Sequence, residues 1–359
     1  MKKNWTYKKL GELVNIRTGK LDANAADENG KYPFFTCSRE PLRINTYSYD
    51  CECILVAGNG ELNVKYYNGK FDAYQRTYII EKKPEVSFIS TYYIYQFFRS
   101  YIEELRKRSI GGIIKYIKLG DLTGAQIPLP PLSEQQSIVR ELDLLNDLIA
   151  KKRAQVAEYD QLQQSLFYTM FGDPVTNEKG WEVKKLGEVA EFYNGKAHEQ
   201  FIDEQGSYIL INSKFIASDA SLYKKTNRQI CPLYKNDIVM VMSDVPNGRA
   251  LAKCYLITQN DKYSLNQRIC AFRNYRQNPT YLIHTINRNA YYLEFDNGNS
   301  QTNLRKEDVL ACPIPLPPLS LQQEFARKVE AIEALKAKVN DSIREAETLL
   351  ASRMDYYFG

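Results

Sequence analysis

The chain has 359 residues, 44% hydrophobic and 25% charged, with a net charge of +5, which suits two ordinary globular domains and their connections. No run approaches 18 consecutive apolar residues, which excludes a membrane-spanning helix, and the opening MKKNWTYKKLGEL lacks the apolar core of a signal peptide. Seven scattered cysteines and two histidines, His198 and His284, exclude a zinc constellation and fit reduced thiols in a cytoplasmic protein.

Taken in chain order, WTYKKLGELVNIRTGK (Trp5–Lys20) opens a region rich in strand signals. CECILVAG (Cys51–Gly58) and RTYIIEK (Arg76–Lys82) read as strands, with Cys51 and Cys53 as packing residues and Asn-Gly turns at 29–30 and 68–69. TYYIYQFFRSYIEELRK (Thr91–Lys107) reads as a helix. IPLPPLSEQQ then begins at Ile127, where prolines 128, 130 and 131 forbid a helix before Leu132. Ser133 is expected at the N-cap with Gln136 completing a capping box. Apolar residues at Ile138, Leu142, Leu145, Ile149, Val156, Leu162 and Leu166 predict a long seamed helix, which Gly172 and Pro174 end.

After GDPVTNEKG the order repeats. WEVKKLGEVAEFYNGK (Trp181–Lys196) matches the opening at an offset of 176, with an Asn-Gly turn at 194–195. NDIVMVM (Asn236–Met242) reads as a strand and PTYLIHTINRNAYYLEF (Pro279–Phe295) as a helix. IPLPPLSLQQ follows from Ile314, now offset by 187, with Ser320 and Gln323 as the second capping box. The second seam runs through Phe325, Val329, Ile332, Leu335, Val339, Ile343 and Leu350. Each helix of roughly 38 residues would reach about 57 Å. The fold class is α+β: two mixed, β-rich domains (1–132 and 175–319), each followed by a long helical segment (133–174 and 320–359). The simplest pairing sets the two helices against each other as a coiled coil; an antiparallel pair would carry the variable domains at opposite ends, a parallel pair at one end.

The charge is partitioned. Residues 1–127 carry +6 and 175–314 carry +3, whereas 133–174 carry −3 and 320–359 carry −1. That favours a polyanionic partner for the variable domains and a different one for the repeated helices.

These landmarks together resemble the specificity (S) subunits of Type I restriction–modification systems. The residues that carry the resemblance are Trp-x₃-Lys-Leu-Gly-Glu, the Pro-Leu-Pro-Pro-Leu-Ser-x-Gln-Gln motif and their duplicated order across the whole chain. Gln75-Arg76 and Gln267-Arg268 fall at corresponding places, and Gly298–Leu304 resembles the family's Gly- and Gln-bearing loop. The aligned loop of the first copy, Gly111–Ile117, departs from it in lacking the Gln and Asn. The resemblance implies two target-recognition domains, each reading one half of a split, asymmetric site in double-stranded DNA. It also implies an antiparallel pair of spacer helices that docks two modification (methyltransferase) subunits, with restriction/translocase subunits joining the full complex. S-adenosylmethionine is expected on the modification subunit, and no cofactor or metal on this chain. Half-site centres are expected about 34–36 Å apart if both domains read one face.

The residues agree with a chain that performs no catalysis. There is no Gly-rich cofactor loop, no Asn/Asp-Pro-Pro-aromatic motif and no GxxxxGK[ST], and Asp72, Glu81 and Lys83 have a chance-level nuclease spacing. For DNA, Arg and Lys can pair with guanine and Asn and Gln with adenine, while Lys also suits phosphate. The candidates are Asn63, Lys65, Lys70, Gln75, Arg76, Lys115 and Lys118 in the first domain. In the second they are Arg249 with the adjoining Asn247, Lys253, Asn266, Gln267, Arg268, Gln301, Asn303 and Arg305. Most of the 27 tyrosines are assigned to packing. Gln135, Gln136, Gln322 and Gln323, identical between the copies, are the candidate partner-docking residues. Two alternatives stay open: a recognition subunit of a Type II system that fuses methylation and cleavage, and a coiled-coil interaction protein without DNA specificity.

Overall fold

A computed structural model of the chain describes residues 5–112, 114–245, 248–296, 298 and 300–359. They form two compact units, Met1–Ala154 with Asn340–Gly359, and Gln155–Val339. Both unit boundaries fall inside the long helices, so each unit combines one β-rich domain with half of each helix.

In the first unit, β1 (Thr6–Lys9), β2 (Val14–Thr18), β3 (Tyr32–Phe35), β4 (Leu42–Ile44), β5 (Tyr49–Ala57), β6 (Val64–Ala73), β7 (Thr77–Lys82) and β8 (Gln126–Leu129) follow one another. Six of them make one sheet in the order β2-β7-β5-β6-β3-β4, antiparallel except for the β3–β6 pair. Its centre is β5, whose Cys53–Ala57 run is buried on both faces. The Asn68-Gly69 pair, expected as a turn, lies inside β6 opposite Glu52 and Cys51; glycine accepts φ +134 there and the ladder continues. Helix Thr91–Arg108 lays Tyr93, Ile94, Phe97, Phe98, Ile102 and Leu105 onto the core at helical spacing. Ser90 caps it by accepting the Tyr93 N–H at 3.0 Å.

The second unit holds β9 (Val183–Lys185), β10 (Glu191–Asn194), β11 (Tyr208–Ile211), β12 (Lys224–Thr226), β13 (Ile238–Val241), β14 (Ser243–Asp244), β15 (Cys254–Leu256), β16 (Tyr263–Leu265), β17 (Ile269–Arg273), β18 (Thr302–Asn303) and β19 (Pro313–Pro315). Here the main sheet is split, into β10-β17-β13-β15 and β12-β11-β16. The matched hydrogen bonds show one place where the second copy gained residues. The offset is 176 between Phe35 and Ile211 but 184 between Gly58 and Met242, and helix Ser213–Ala217 occupies the added stretch. The expected helix 279–295 is broken into Pro279–Ile286 and Ala290–Leu293, because Arg288 adopts φ +48 and Asn289 caps the second piece.

The two repeated motifs meet within each unit. β1 pairs with β8, placing Thr6–Lys9 against Gln126–Leu129, and β9 pairs with β19, placing Val183–Lys185 against Pro313–Pro315. The prolines are tolerated because these are two-stranded ladders with a free edge. The long helices then run over Leu132–Phe171 and Leu319–Phe358. Ser133 and Ser320 therefore lie inside the helices rather than at the caps. The cap position belongs to Pro131 and Pro318, whose carbonyls accept from Glu134 and Gln135, and from Leu321 and Gln322. Gly172, at φ +77, closes the first helix as expected.

In the first unit the helix halves pair antiparallel, with the Tyr357 hydroxyl on Glu141 at 2.5 Å and Arg153 on Glu347 at 2.6 Å. The second unit does the same, with Lys336 on Asp160 and Gln163 on Glu333, both at 2.6 Å, and Phe167 against Phe325. Leu162 and Leu335, expected in the seam, stand outside it at 50% and 45% exposure. In the second unit the buried place is taken instead by the amide of Gln163, bonded to Glu333. Among the described residues no helix is long and apolar enough to cross a membrane, and the seven cysteines form no disulfide.

Candidate nucleic-acid interface

A turn at Gln75-Arg76 joins β6 to β7, and the surrounding backbone fixes it from three sides. Lys20 N–H reaches the Ala73 carbonyl at 3.2 Å, Gly19 N–H the Thr77 carbonyl at 3.0 Å, and Gln75 N–H the Leu21 carbonyl at 2.9 Å. Gly58 N–H donates to the Arg76 carbonyl at 2.8 Å, and Ile117 N–H to the Gly58 carbonyl at 3.0 Å. Gly60 adds a bond to the Lys115 carbonyl. The Gln75 N–H and the Arg76 carbonyl are thus held by backbone while the side chains of Gln75 and Arg76 remain exposed. Lys115, Lys118, Ile114 and Tyr116 are exposed on the loop bonded to the same strand end.

The second unit repeats this junction. Lys196 N–H meets the Leu265 carbonyl, Gly195 N–H the Ile269 carbonyl and Gln267 N–H the Lys196 carbonyl, all at 3.0–3.1 Å. Met242 N–H donates to the Arg268 carbonyl at 3.0 Å and Leu304 N–H to the Met242 carbonyl at 2.8 Å. Arg76 and Arg268 are therefore structural equivalents, as the sequence order suggested. The Gly-Lys pair of each opening motif has a steric reason here. A Cβ on Gly19 would lie 2.1 Å from the Ala73 carbonyl oxygen, and one on Gly195 only 1.8 Å from that of Asn266.

Around Arg268, which holds φ +66, the other expected residues assemble. β14 pairs with β18, setting Ser243 opposite Asn303, and Gln301 Nε2 donates to Ser243 Oγ at 2.6 Å. Asp244 accepts the N–H groups of Val245 and of Ala250 and Leu251, the two residues that follow Arg249. Gln267, Arg268, Arg249, Gln301, Asn303 and Arg305 are all exposed, with Gln267 Nε2 on Glu199 at 2.8 Å. Asn247 lies outside the described residues, as does Asn299 of the Gly298–Leu304 loop.

Other expected residues are turned to internal work. Asn63 donates to the carbonyls of Cys37 and Glu61, and Lys65 to the carbonyl of Ser38 at 2.7 Å; burial pushes the Lys65 pKa down. Lys253 is paired with Asp219 at 2.9 Å and bonded to the Ala217 carbonyl. Asn266 is half-buried beneath the turn, its backbone N–H on Ile211. Lys70 sits over the Tyr47 ring, 4.6 Å from its centroid, apart from the turn contacts.

The glutamines need a sharper correction. Gln135 and Gln322 are buried, at 0% and 4% exposure. Gln135 accepts from Ser90 N–H and donates to the carbonyls of Phe88 and Pro130; Gln322 accepts from Asn278 N–H and donates to that of Pro317. A buried amide must satisfy itself locally, so these two tie helices Thr91–Arg108 and Pro279–Ile286 to the starts of the long helices and are not presented to a partner. Gln136 and Gln323, the adjacent residues, are exposed. The first unit strengthens the same joint with Tyr92 and Gln96 on Asp143, at 3.2 and 2.8 Å, and Arg99 on Asn146 at 2.7 Å.

An unexpected apolar feature lies on the long helices. Leu144, Leu148 and Leu349 are 64%, 42% and 45% exposed around a groove of about 390 Å³ in the first unit. Leu148 and Leu349 correspond, at the offset of 187, to the exposed Leu335 and Leu162 of the second. Helical periodicity alone assigned Leu162 and Leu335 to the seam.

Catalytic alternatives find no geometry. Asp72 and Glu81 lie on β6 and β7, which β5 separates. Asp72 accepts from Thr46, Glu81 pairs with Arg17, and Lys83 binds the carbonyls of Gly11 and Glu12. Among the described residues no group of His, Cys, Asp and Glu could hold a metal ion.

The family model for the Type I restriction modification DNA specificity domain matches residues 2–158 and 178–345. The chain is 28% identical to the specificity subunit of the Type I restriction enzyme EcoDI from Escherichia coli, over 97% of this chain and 86% of that one. It is 21% identical to the MjaVIII specificity subunit from Methanocaldococcus jannaschii, over 96% and 90%. A crystal structure of the S subunit of a Type I system from M. genitalium has the same fold, with TM-score 0.55, 16% identity and coverage of 99% and 96%. A structure from work on assembly and conformational transition of a type I restriction–modification system gives TM-score 0.58, 18% identity and coverage of 99% and 97%.

Proposed function

The chain belongs to the Type I restriction modification DNA specificity family, and on that premise we propose that it is the non-catalytic subunit that reads a bipartite DNA site, one half per unit. The observation that carries this reading is the duplicated junction. Each unit holds an exposed Gln-Arg pair on a backbone that glycine, strand ends and a neighbouring loop pin in place. Such rigidity is what base readout needs, because a bidentate Arg–guanine or Gln–adenine contact tolerates little positional error. The divergent loops beside it, Gly111–Lys118 and Gly298–Arg305, would let the two units read different bases.

The long helices dock two modification subunits in this reading, and the S-adenosylmethionine would be held by those subunits. What supports two equivalent docking faces is the repetition of exposed leucines, Leu148 with Leu349 and Leu335 with Leu162. Restriction subunits would join through the same assembly.

The test is to map methylated adenines in a host with and without this gene, and then with residues 1–126 exchanged for those of another such subunit. The exchanged segment must keep Trp5 and Tyr93, which pack on Tyr357 and Phe358 of the same unit. One half of the motif should change and the other persist. Methylation that is independent of the gene, or a change in both halves, sinks the proposal.

A further inference from the structure

A second basic feature lies beside the reading turn of the first unit and is absent from every landmark of the repeat. A groove of about 470 Å³ opens between β6 and helix Thr91–Arg108, floored by Val64 and Ile102 and rimmed by Arg39, Lys65, Arg99 and Arg106. Two of these cations are matched by rim carboxylates, Arg39 by Glu61 and Arg106 by Glu103. Lys65 and Arg99 hydrogen-bond only to neutral oxygens, while the carboxylates of Glu40 and Asp143 act on them from farther away. Lys65 donates to the Ser38 carbonyl and the Asn63 side chain, and Arg99 to Gln96 Oε1 at 3.2 Å and Asn146 Oδ1 at 2.7 Å. Neither forms an ion pair among the described residues. The groove's own lining thus carries four cations and no carboxylate in a partly desolvated place, a setting that favours a bound anion.

The groove is continuous with the turn. Cys37 accepts Asn63 Nδ2 on its carbonyl at 2.8 Å and places its own Sγ 3.6 Å from the Arg76 carbonyl oxygen. One short wall therefore separates Lys65 from Arg76. At the places that match Lys65 and Arg99 the second unit carries no charge. Tyr255 occupies the register of Lys65, opposite Val239 as Lys65 is opposite Leu55. Asn287 stands six residues after Tyr281, as Arg99 does after Tyr93, where both tyrosines donate to a proline carbonyl of the repeated motif.

We propose that the groove of Arg39, Lys65, Arg99 and Arg106 binds DNA backbone phosphate, giving the first unit a sequence-independent anchor that the second lacks. This rests on the DNA-reading function. Phosphate contacts position a protein on the duplex and carry no base information, so the anchor supplies affinity and register while Gln75-Arg76 supplies choice. Binding would begin at the half-site read by the first unit.

The experiment uses the full chain assembled with its modification partner. Affinity for a duplex carrying the methylated motif and for an unrelated duplex is measured across salt concentrations, for wild type and for Arg39→Gln/Lys65→Gln. Loss of two phosphate contacts should reduce the slope of log K against log salt by about 2, weaken both duplexes by the same factor and leave the methylated motif unchanged. Lys65→Arg should restore most of its share. Unchanged slope and affinity in a variant with wild-type melting temperature would overturn the proposal, as would a changed motif, which would make these residues base readers. Inorganic phosphate, titrated without DNA, separates the sources: saturable phosphate binding with unaltered DNA affinity in the variant would assign the groove to a free anion instead. Failure of the wild type to distinguish the two duplexes sinks the reading function, whereas the slope tests the groove by itself.

Discussion

Gln135 Oε1 accepts the backbone N–H of Ser90 at 3.1 Å, and its amide nitrogen returns to the Phe88 carbonyl at 2.8 Å. One buried side chain thereby fastens the cap of helix Thr91–Arg108 to the first turn of a long helix, and Gln322 repeats the device at Asn278. Gln135→Ala takes this partner from the half-buried Ser90 N–H and from the buried Pro130 carbonyl, so the first unit should lose about 1–3 kcal/mol. Gln136→Ala, one residue along and exposed, should change stability by no more than about 0.5 kcal/mol. Urea unfolding of the two variants checks this; equal effects would show that Gln135 is not the joint.

The glycine of each opening motif should matter through the turn it touches. Gly195→Ala forces the Asn266 carbonyl to move, and with it Gln267 and Arg268. We expect a stability loss of about 1–3 kcal/mol and a larger fall in sequence-selective binding than in non-selective binding. Gly180→Ala is the converse control, since Gly180 has positive φ but no atom near its missing Cβ, whereas Gly195 is crowded without positive φ. If both alanine variants bind DNA alike, close packing at Gly195 does not shape the turn.

Arg76→Ala and Arg268→Ala should each cost about 1–3 kcal/mol of discrimination at one position if the guanidinium meets a guanine. Each should relax a different half of the methylated motif. Methylome mapping reads this directly, and loss of the same half in both variants would contradict one half-site per unit.

The second unit should be acid-sensitive at His284. Burial holds its pKa below the ordinary histidine value, against the Thr280 carbonyl and Glu333, which raise it; Lys336 lowers it. Its ring stacks on Phe167 and meets Phe325 edge-on. Because the folded pKa is depressed, the contribution is complete above the unfolded value of about 6.5. It is lost as pH falls below that, where the unfolded chain takes up the proton more readily. His284→Gln, which copies the first unit's Gln96, should flatten the loss of urea midpoint between about pH 6.5 and 5. An unchanged pH profile would show that the imidazole stays neutral or is compensated.

Leu148→Asp and Leu335→Asp replace exposed residues, so both should fold with little change in melting temperature. Each should remove one of two modification subunits from the assembly, and the double variant both, as read by the mass of the purified complex. Full assembly by the double variant would place docking elsewhere.

Much of this molecule was legible in its order of residues. Duplication at offsets of 176 and 187, the proline stop before each long helix, and the Gln-Arg pairs are patterns of spacing and residue type, and local stereochemistry enforces them. Tertiary structure decided what those patterns could not. A glutamine at a helix start reads as a surface residue until the N-terminus of helix Thr91–Arg108 or Pro279–Ile286 packs on it, and then it is a buried clamp. A leucine at seam spacing reads as core until the partner helix sets the register, and Leu162 and Leu335 then face outward. Arg39, Lys65, Arg99 and Arg106 belong to three distant stretches, so their shared groove exists only once β6 packs against helix Thr91–Arg108. Sequence fixes what each residue can bond to; burial and register, which depend on contacts far along the chain, determine which bonds it makes.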